Sequence, residues 1–215
     1  MRAIVTCGPS HEPIDRVRRL TNFSTGELGL LLAAELVRAG HEVVCFKGEG
    51  ATSRIDPAGA EQVLFSTNEE LLRKIRELRG RVDAGAVFHA AALCDYRVGA
   101  VRAGDGTALA AAKIPTGWGN LTLSLEPAPK LLPLLRGLFP RARIVGWKYE
   151  LEGTRDDALA KARIQITECG SDACVVNGAA WGAGFGFVEP REETVPVPDK
   201  PALCAFLIGW LAKGR

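Results

Sequence analysis

The stretch "TNFSTGELG", Thr21 to Gly29, places an amide, several hydroxyls and two glycines directly before an apolar helical run. Ser24 and Glu27 have the spacing of a capping box, in which each side chain satisfies a backbone N–H that the helix leaves unpaired. The same N–H groups, at the positive end of the helix dipole, can instead hold a phosphate. Capping accounts for Ser24 and Glu27 and leaves Asn22, Thr25 and Gly26 without a role. Other chemistries have less to stand on. There is no G-x-S-x-G elbow and no P-loop, and three histidines offer little for a nucleophilic triad. His11 and His89 fall near predicted strand ends, where a satisfied structural imidazole is the simpler reading.

The elements that must position these residues alternate along the chain. "AIVTC", "EVVCF", "AGAVFHAAA", "ARIVGW" and "DACVVN" read as buried strands. Between them, "LGLLLAAELVRAG" has helical spacing with Gly40 placed to end it. Thr67 and Glu70 form a second capping-box pattern ahead of "LLRKIREL", and Thr154 can cap "TRDDALAKARIQITEC". "KLLPLLRGLF" reads as a short helix with Pro133 in its first turn, and "PALCAFLIGWLAKG" as a final amphipathic helix. "LTLSL" alternates like a half-exposed strand. This order predicts an α/β, Rossmann-like fold: a mostly parallel central sheet with helices on both faces. The Gly/Ala-rich "VGAVRAGDGTALAAAKIPTGWG" is the expected flap between the halves. Ligands of such sheets bind beyond the strands' carboxyl ends, which selects "CGPSHEP", "AAALCDY", "GWKYE" and "NGAAWG".

Composition agrees with one soluble domain over 1–215. Of 215 residues, 47% are apolar and 24% charged, which supports a substantial core. Lys and Arg total 27 against 25 acidic residues, so no overall field favours nucleic acid. The six cysteines show neither a CxxC pair nor zinc-ligand spacing and mostly sit in apolar segments, as small buried hydrophobes do. No run could span a bilayer or act as a signal peptide, so the expected location is cytoplasmic, without membrane contact.

At the level of motifs, "VTCGPSHEPIDRVRRLTNFSTGELG" resembles the opening of the phosphopantothenate–cysteine ligases, the synthetase half of the bifunctional DNA/pantothenate metabolism flavoprotein. "HAAALCDYRV" resembles that family's small-residue strand end followed by Asp and an aromatic. "KIPTGWGNLTLSLEPAPKLL" is similar to the lysine flap and Pro-Lys-Leu turn of its eukaryotic branch, "IVGWKYELEG" to that branch's Phe-Lys-Leu-Glu segment, and "DACVVN" to its strand ending in Asn. The resemblance spans nearly the whole chain in order.

It implies coupling of cysteine to 4′-phosphopantothenate, in coenzyme A biosynthesis, through an acyl-nucleotide formed from a nucleoside triphosphate with release of pyrophosphate. CTP is favoured, ATP is compatible, and Mg2+ is the expected metal. By the same resemblance Asn22 and Lys113 are catalytic: Asn22 orients the carboxylate or polarises the acyl group, and Lys113 screens phosphate charge. Ser24, Thr25, Gly26, Ala91, Ala92, Asp95, Trp147 and Lys148 would contact nucleotide, with Asp95 the one candidate magnesium contact. Arg18, among its neighbours Arg16 and Arg19, and Asn177 would contact phosphopantothenate. A homodimer is expected, and no flavin, because the synthetase-like pattern takes up all 215 residues.

The sequence also departs from the family. "KIPT" keeps only Lys113 of a Lys-Ile-Lys-Lys flap, "APKLL" replaces an Asn-Pro-Asp turn, and Ile164 stands where relatives commonly carry lysine, with Lys161 one turn earlier. The loop from Asp95 to Lys113 also looks longer than usual. These changes leave two alternatives: a relative that binds nucleotide or phosphopantothenate without ligating, and an NAD(P)-dependent oxidoreductase. The latter lacks its G-x-G-x-x-G turn after the first strand.

Overall fold

In the computed structural model, which describes residues 1–80 and 83–213, the chain runs β1 (Arg2–Cys7), β2 (His11–Pro13), β3 (Arg19–Thr21), α1 (Glu27–Arg38), β4 (Glu42–Gly48), β5 (Glu61–Phe65), α2 (Asn68–Arg79) and β6 (Ala86–His89). It continues through β7 (Tyr96–Ala103), a 3-10 turn (Thr116–Trp118), β8 (Leu121–Pro127), α3 (Leu132–Leu138), β9 (Arg143–Tyr149) and α4 (Arg155–Cys169). It ends with β10 (Ala173–Asn177), β11 (Phe185–Val188), β12 (Val195–Val197) and α5 (Lys200–Ala212). Gly214, at the end of the last expected helical run, lies outside the described residues.

The main sheet has the order β12-β11-β10-β9-β6-β1-β4-β5. The six strands from β5 to β10 are parallel, and β11 and β12 add an antiparallel edge. This is the expected Rossmann-like arrangement. The chain leaves β1 toward β4 on one side and later returns to β6 on the other, so the order reverses between β1 and β6, where such sheets open a ligand crevice.

Because helices cover both faces, the central strands read as continuous apolar runs rather than alternating ones. Val5, Phe88, Val145 and Val175 pack on α1 and α5 through Leu30, Leu36, Leu203 and Leu207. Their neighbours Ile4, Val87 and Ile144 pack on α2 and α3 through Leu71, Ile75 and Leu135. Cys174 and Val176 meet Ala158, Ala162 and Ile166 of α4. Each buried Val, Leu, Ile or Phe contributes roughly 1.5–3 kcal/mol.

The helix starts depart in part from expectation. Thr154 and Asp157 form the full capping box of α4. Thr67 Oγ1 accepts from the Glu70 N–H at 3.1 Å, but the Glu70 carboxylate turns to Ser66, accepting from its N–H at 2.8 Å and its hydroxyl at 2.6 Å. At α1 the box predicted from Ser24 and Glu27 does not form. Gly26 is the N-cap, in the left-handed region at φ 74°, and a Cβ there would lie 2.9 Å from the Ala51 Cβ. Ser24 Oγ accepts from the Gly26 N–H at 3.4 Å and Thr25 Oγ1 from the Glu27 N–H at 3.3 Å. The two hydroxyls therefore shape the turn, and Gly26 supplies a conformation that other residues adopt only with strain.

The expected flap is built differently from a loop. β7 and β8 pair antiparallel from Tyr96↔Pro127 to Ala103↔Leu121 as a separate two-stranded arm, with an irregularity between Val98 and Ala100. The "VGAVRA" part of the predicted loop is therefore strand, and "LTLSL" belongs to the arm rather than the main sheet. The base of the arm is tied twice: the Ala128 N–H donates to the Asp95 carbonyl at 2.9 Å, and Asn68 Nδ2 donates to the Cys94 and Pro129 carbonyls at 2.8 and 3.2 Å.

Candidate active site

A cleft of about 920 Å³ opens at the carboxyl ends of β1, β6, β9 and β10, at the point of order reversal. It gathers most of the expected residues. Asn22, Ser24, Thr25 and Gly26 enter from the loop before α1, Ala91, Ala92 and Asp95 from the loop after β6, Trp147 and Lys148 from β9, and Asn177 from β10. Asn22 is held by its Nδ2, which donates to the Leu93 carbonyl at 2.9 Å, leaving its Oδ1 without a protein partner among the described residues. Asn177 closes β10, its carbonyl accepting from the Glu150 N–H at 2.9 Å. Trp147 is half-buried, with its Nε1 enclosed and unpaired.

Two expected residues lie elsewhere. Arg18 is outside the cleft lining: its guanidinium pairs with Asp15 at 2.5 Å and donates to the Ile114 carbonyl at 2.6 Å. Arg18 is thus engaged by Asp15 and the Ile114 carbonyl, away from its own chain's cleft. Lys113 is exposed on the loop between β7 and β8, also outside the lining of its own chain's cleft. Arg19 approaches His11 at 3.4 Å and likewise does not reach the cleft.

The fold adds further cations, two of which, Lys130 and Lys200, local sequence did not single out. Lys130, Lys161 and Lys200 line the cleft with Lys148, against Glu27, Asp95 and Glu168. Glu150 holds two of these lysines, contacting Lys161 closely and Lys148 at 3.4 Å. Burial opposes its ionisation, but the two lysines outweigh that and keep its carboxyl below the usual range. Lys200, at the first position of α5, pairs with Glu27 at the first position of α1, at 2.5 Å. The first turn of α1 and these ammonium groups make the cleft suited to a polyphosphate or carboxylate ligand. No signal in the local sequence links Lys200 to residue 27; only the packing of α1 on α5 does. Among the described residues no group of three or more His, Cys, Asp or Glu could hold a metal, so a divalent ion would have to be carried largely by its ligand. All six cysteines are free thiols.

Comparisons with known proteins agree with this fold. Residues 1–199 match the family described as the DNA/pantothenate metabolism flavoprotein C-terminal domain. The coenzyme A biosynthesis bifunctional protein CoaBC of Thermococcus kodakarensis is 35% identical over 178 residues, covering 82% of this chain and 41% of that protein. The Mycolicibacterium smegmatis CoaBC is 30% identical over 200 residues, covering 86% and 44%. The chain therefore spans less than half the length of these relatives. Among solved structures, a DNA/pantothenate metabolism flavoprotein from Streptococcus pneumoniae superposes with a TM-score of 0.86 at 23% identity, covering all of both chains. A Cab2 mutant in complex with phosphopantothenate-cysteine superposes with a TM-score of 0.76 at 17% identity, covering 99% of this chain and 86% of that one. The family match over residues 1–199, with a relative 35% identical over 82% of this chain, leads to one assignment: this chain belongs to the DNA/pantothenate metabolism flavoprotein C-terminal domain family.

Proposed function

We propose that the chain is a nucleoside-triphosphate-dependent phosphopantothenate–cysteine ligase. One observation carries the reading: Asn22, the first turn of α1 and four lysines converge on a single cleft, whereas among the described residues no nucleophile–base pair lines it. Ligation of this kind requires charge compensation and orientation more than a protein nucleophile. A phosphopantothenate carboxylate oxygen attacks the α-phosphorus, the bond to the β-phosphate breaks, and pyrophosphate leaves. The cysteine amine then attacks the acyl carbon and loses a proton, and the nucleoside monophosphate departs.

In this scheme the α1 amides, Lys148, Lys161 and Lys200 hold phosphate and carboxylate charge, and Asn22 donates to the acyl oxygen. Asp95 and the main chain at Ala91 and Ala92 hold the nucleoside, Trp147 packs beside it, and Asn177 faces phosphopantothenate. CTP is the favoured nucleotide, ATP the alternative, and Mg2+ enters on the triphosphate. A homodimer is favoured by the apolar side chains exposed on the β2–β3 hairpin and the arm, among them Val17, Leu20, Trp118 and Leu125. It would give Lys113 a route to the cleft of a second copy. The test is pyrophosphate release that requires phosphopantothenate, CTP or ATP, and magnesium together, followed by cysteine-dependent product.

A second reading, nucleotide binding without ligation, is favoured by the position of Lys113 outside its own cleft. Tight nucleotide binding without pyrophosphate release would support it.

A further inference from the structure

His89 ends β6 beside Thr6 of β1 and Gly146 of β9 in the sheet register, on the face covered by α2 and α3. It is only 8% exposed, and it lines the cleft. Its Nδ1 lies 2.8 Å from Thr6 Oγ1, and that hydroxyl also accepts the Ala91 N–H at 3.3 Å. An N–H can only donate, so among the described residues the Thr6 hydroxyl proton is left with one available acceptor, His89 Nδ1. Any other arrangement would bury that proton unpaired, at a cost hydrogen-bond networks avoid. The neutral ring therefore carries its proton on Nε2. This nitrogen has no protein partner among the described residues and is not one of the enclosed orphan atoms, so it opens to the cleft. The structural imidazole expected from sequence is satisfied on one side only.

The surroundings select the acceptor. Ala91, Leu93, Leu131 and Leu132 are apolar lining of the cleft on this face, and burial alone, with no charged neighbour contributing, acts on the His89 ring. A phosphate placed here would face leucines and a neutral donor, and would lose solvation without a counter-charge. A planar heterocycle with an in-plane oxygen or nitrogen acceptor pairs with the donor and covers the leucines. Burial also lowers the His89 pKa to about 4, which keeps the ring neutral at physiological pH.

The geometry assigns His89 as the residue whose Nε2–H binds the nucleobase of the co-substrate, its tautomer fixed by Thr6. This inference rests on the ligase reading, and its test separates the two. Binding of CTP, ATP and inorganic tripolyphosphate is measured for the wild type, His89→Leu and His89→Gln, with melting curves. His89→Leu is expected to weaken CTP and ATP about tenfold, the loss of one hydrogen bond, and to leave tripolyphosphate unchanged. His89→Gln, which restores a donor, should recover most of that loss. Wild-type histidine ring-nitrogen NMR spectra should show the Nε2–H tautomer and a shift of that resonance on adding CTP; they decide the matter if the leucine variant does not fold. Unchanged nucleotide binding by His89→Leu, equal weakening of tripolyphosphate, or an Nδ1–H tautomer overturns the inference alone. A wild-type protein that binds neither CTP nor ATP overturns it together with the ligase reading.

Discussion

Asp15 Oδ2 accepts the backbone N–H of Ile114 at 3.1 Å, while Arg18, paired with the same carboxylate, donates to the Ile114 carbonyl at 2.6 Å. Both peptide groups of Ile114 are thus held by the segment after β2, and the Arg16 N–H adds a bond to the Ala112 carbonyl at 3.0 Å. The clasp fixes the loop that carries Lys113. The Arg18 guanidinium and the Ile114 N–H hold the Asp15 carboxyl well below the usual range. A depressed carboxyl stabilises the fold above its unfolded value and loses that effect only as pH falls through its folded value. Protection of residues 104–120 from proteolysis should therefore persist from pH 7 to about pH 4. Asp15→Ala should expose that loop to cleavage at every pH while leaving nucleotide binding intact. A loop equally protected in the variant would refute the clasp.

Lys113 is expected to act on phosphate charge in the transition state. Lys113→Gln should lower kcat by the equivalent of about 2–4 kcal/mol with little change in melting temperature, as loss of a charge-assisted contact does. If the lysine serves a second copy, co-expression of Lys113→Gln with Asn22→Asp should rebuild one intact site in each mixed dimer. Recovered activity should approach about one quarter of wild type, from random pairing of two chains. Mixed dimers without activity would confine Lys113 to its own chain.

Glu70 provides a check on local electrostatics away from the cleft. Lys74 and Ser66 lower its pKa to about 2. Its contribution is complete above the unfolded carboxylate range and disappears as pH falls through about 2. The side chain is 28% exposed, and solvent screening reduces the expected effect to about 1 kcal/mol. Glu70→Gln should therefore lower stability to denaturant at pH 7 and match the wild type near the acid limit. An equal deficit at both pH values would mean that shape, rather than charge, matters at this position.

The parts of this fold visible in sequence are those fixed by local pattern. β1, β6, β9 and β10 are buried on both faces and read as apolar runs, and α4 is bounded by Thr154 and Gly170. The arm was hidden because "RVGAVRAG" carries Gly99 and Ala100 and its partner strand lies some twenty residues downstream. β11 and β12 were missed for a similar reason: each is short and interrupted by Gly186 or Pro196. Within the site, the strand-end rule located Ala91, Trp147 and Asn177. Spacing could not reveal that Arg18 is already engaged by Asp15, or that α5 delivers Lys200 to the start of α1. His89 looked satisfied because sequence does not show which ring nitrogen has a partner.

Asn22 allows the proposed chemistry to be tested directly. Its Nδ2 reaches the Leu93 carbonyl at 2.9 Å and approaches the Ala92 carbonyl at 3.5 Å, so one amide hydrogen is well engaged and the other only weakly held. That second hydrogen is the one available to an acyl oxygen. Asn22→Asp removes both donors and faces a carboxylate toward those carbonyls and toward bound phosphates. Asp cannot donate to the Leu93 carbonyl, so a purely structural Asn22 would show its replacement in the melting curve rather than in one step of the reaction. The expected protein is folded and binds nucleotide, yet forms little phosphopantothenoylcysteine. Loss should be greater in cysteine attack than in activation, because the donor matters most as the tetrahedral oxyanion develops. Removal of one such donor corresponds to about 2.7–4 kcal/mol, or a hundredfold to a thousandfold in rate. Single-turnover product analysis by mass spectrometry, with a melting curve alongside, separates the two steps. Normal ligation by a stable variant would remove the Asn22 donors from the mechanism and leave charge stabilisation to the α1 amides and lysines.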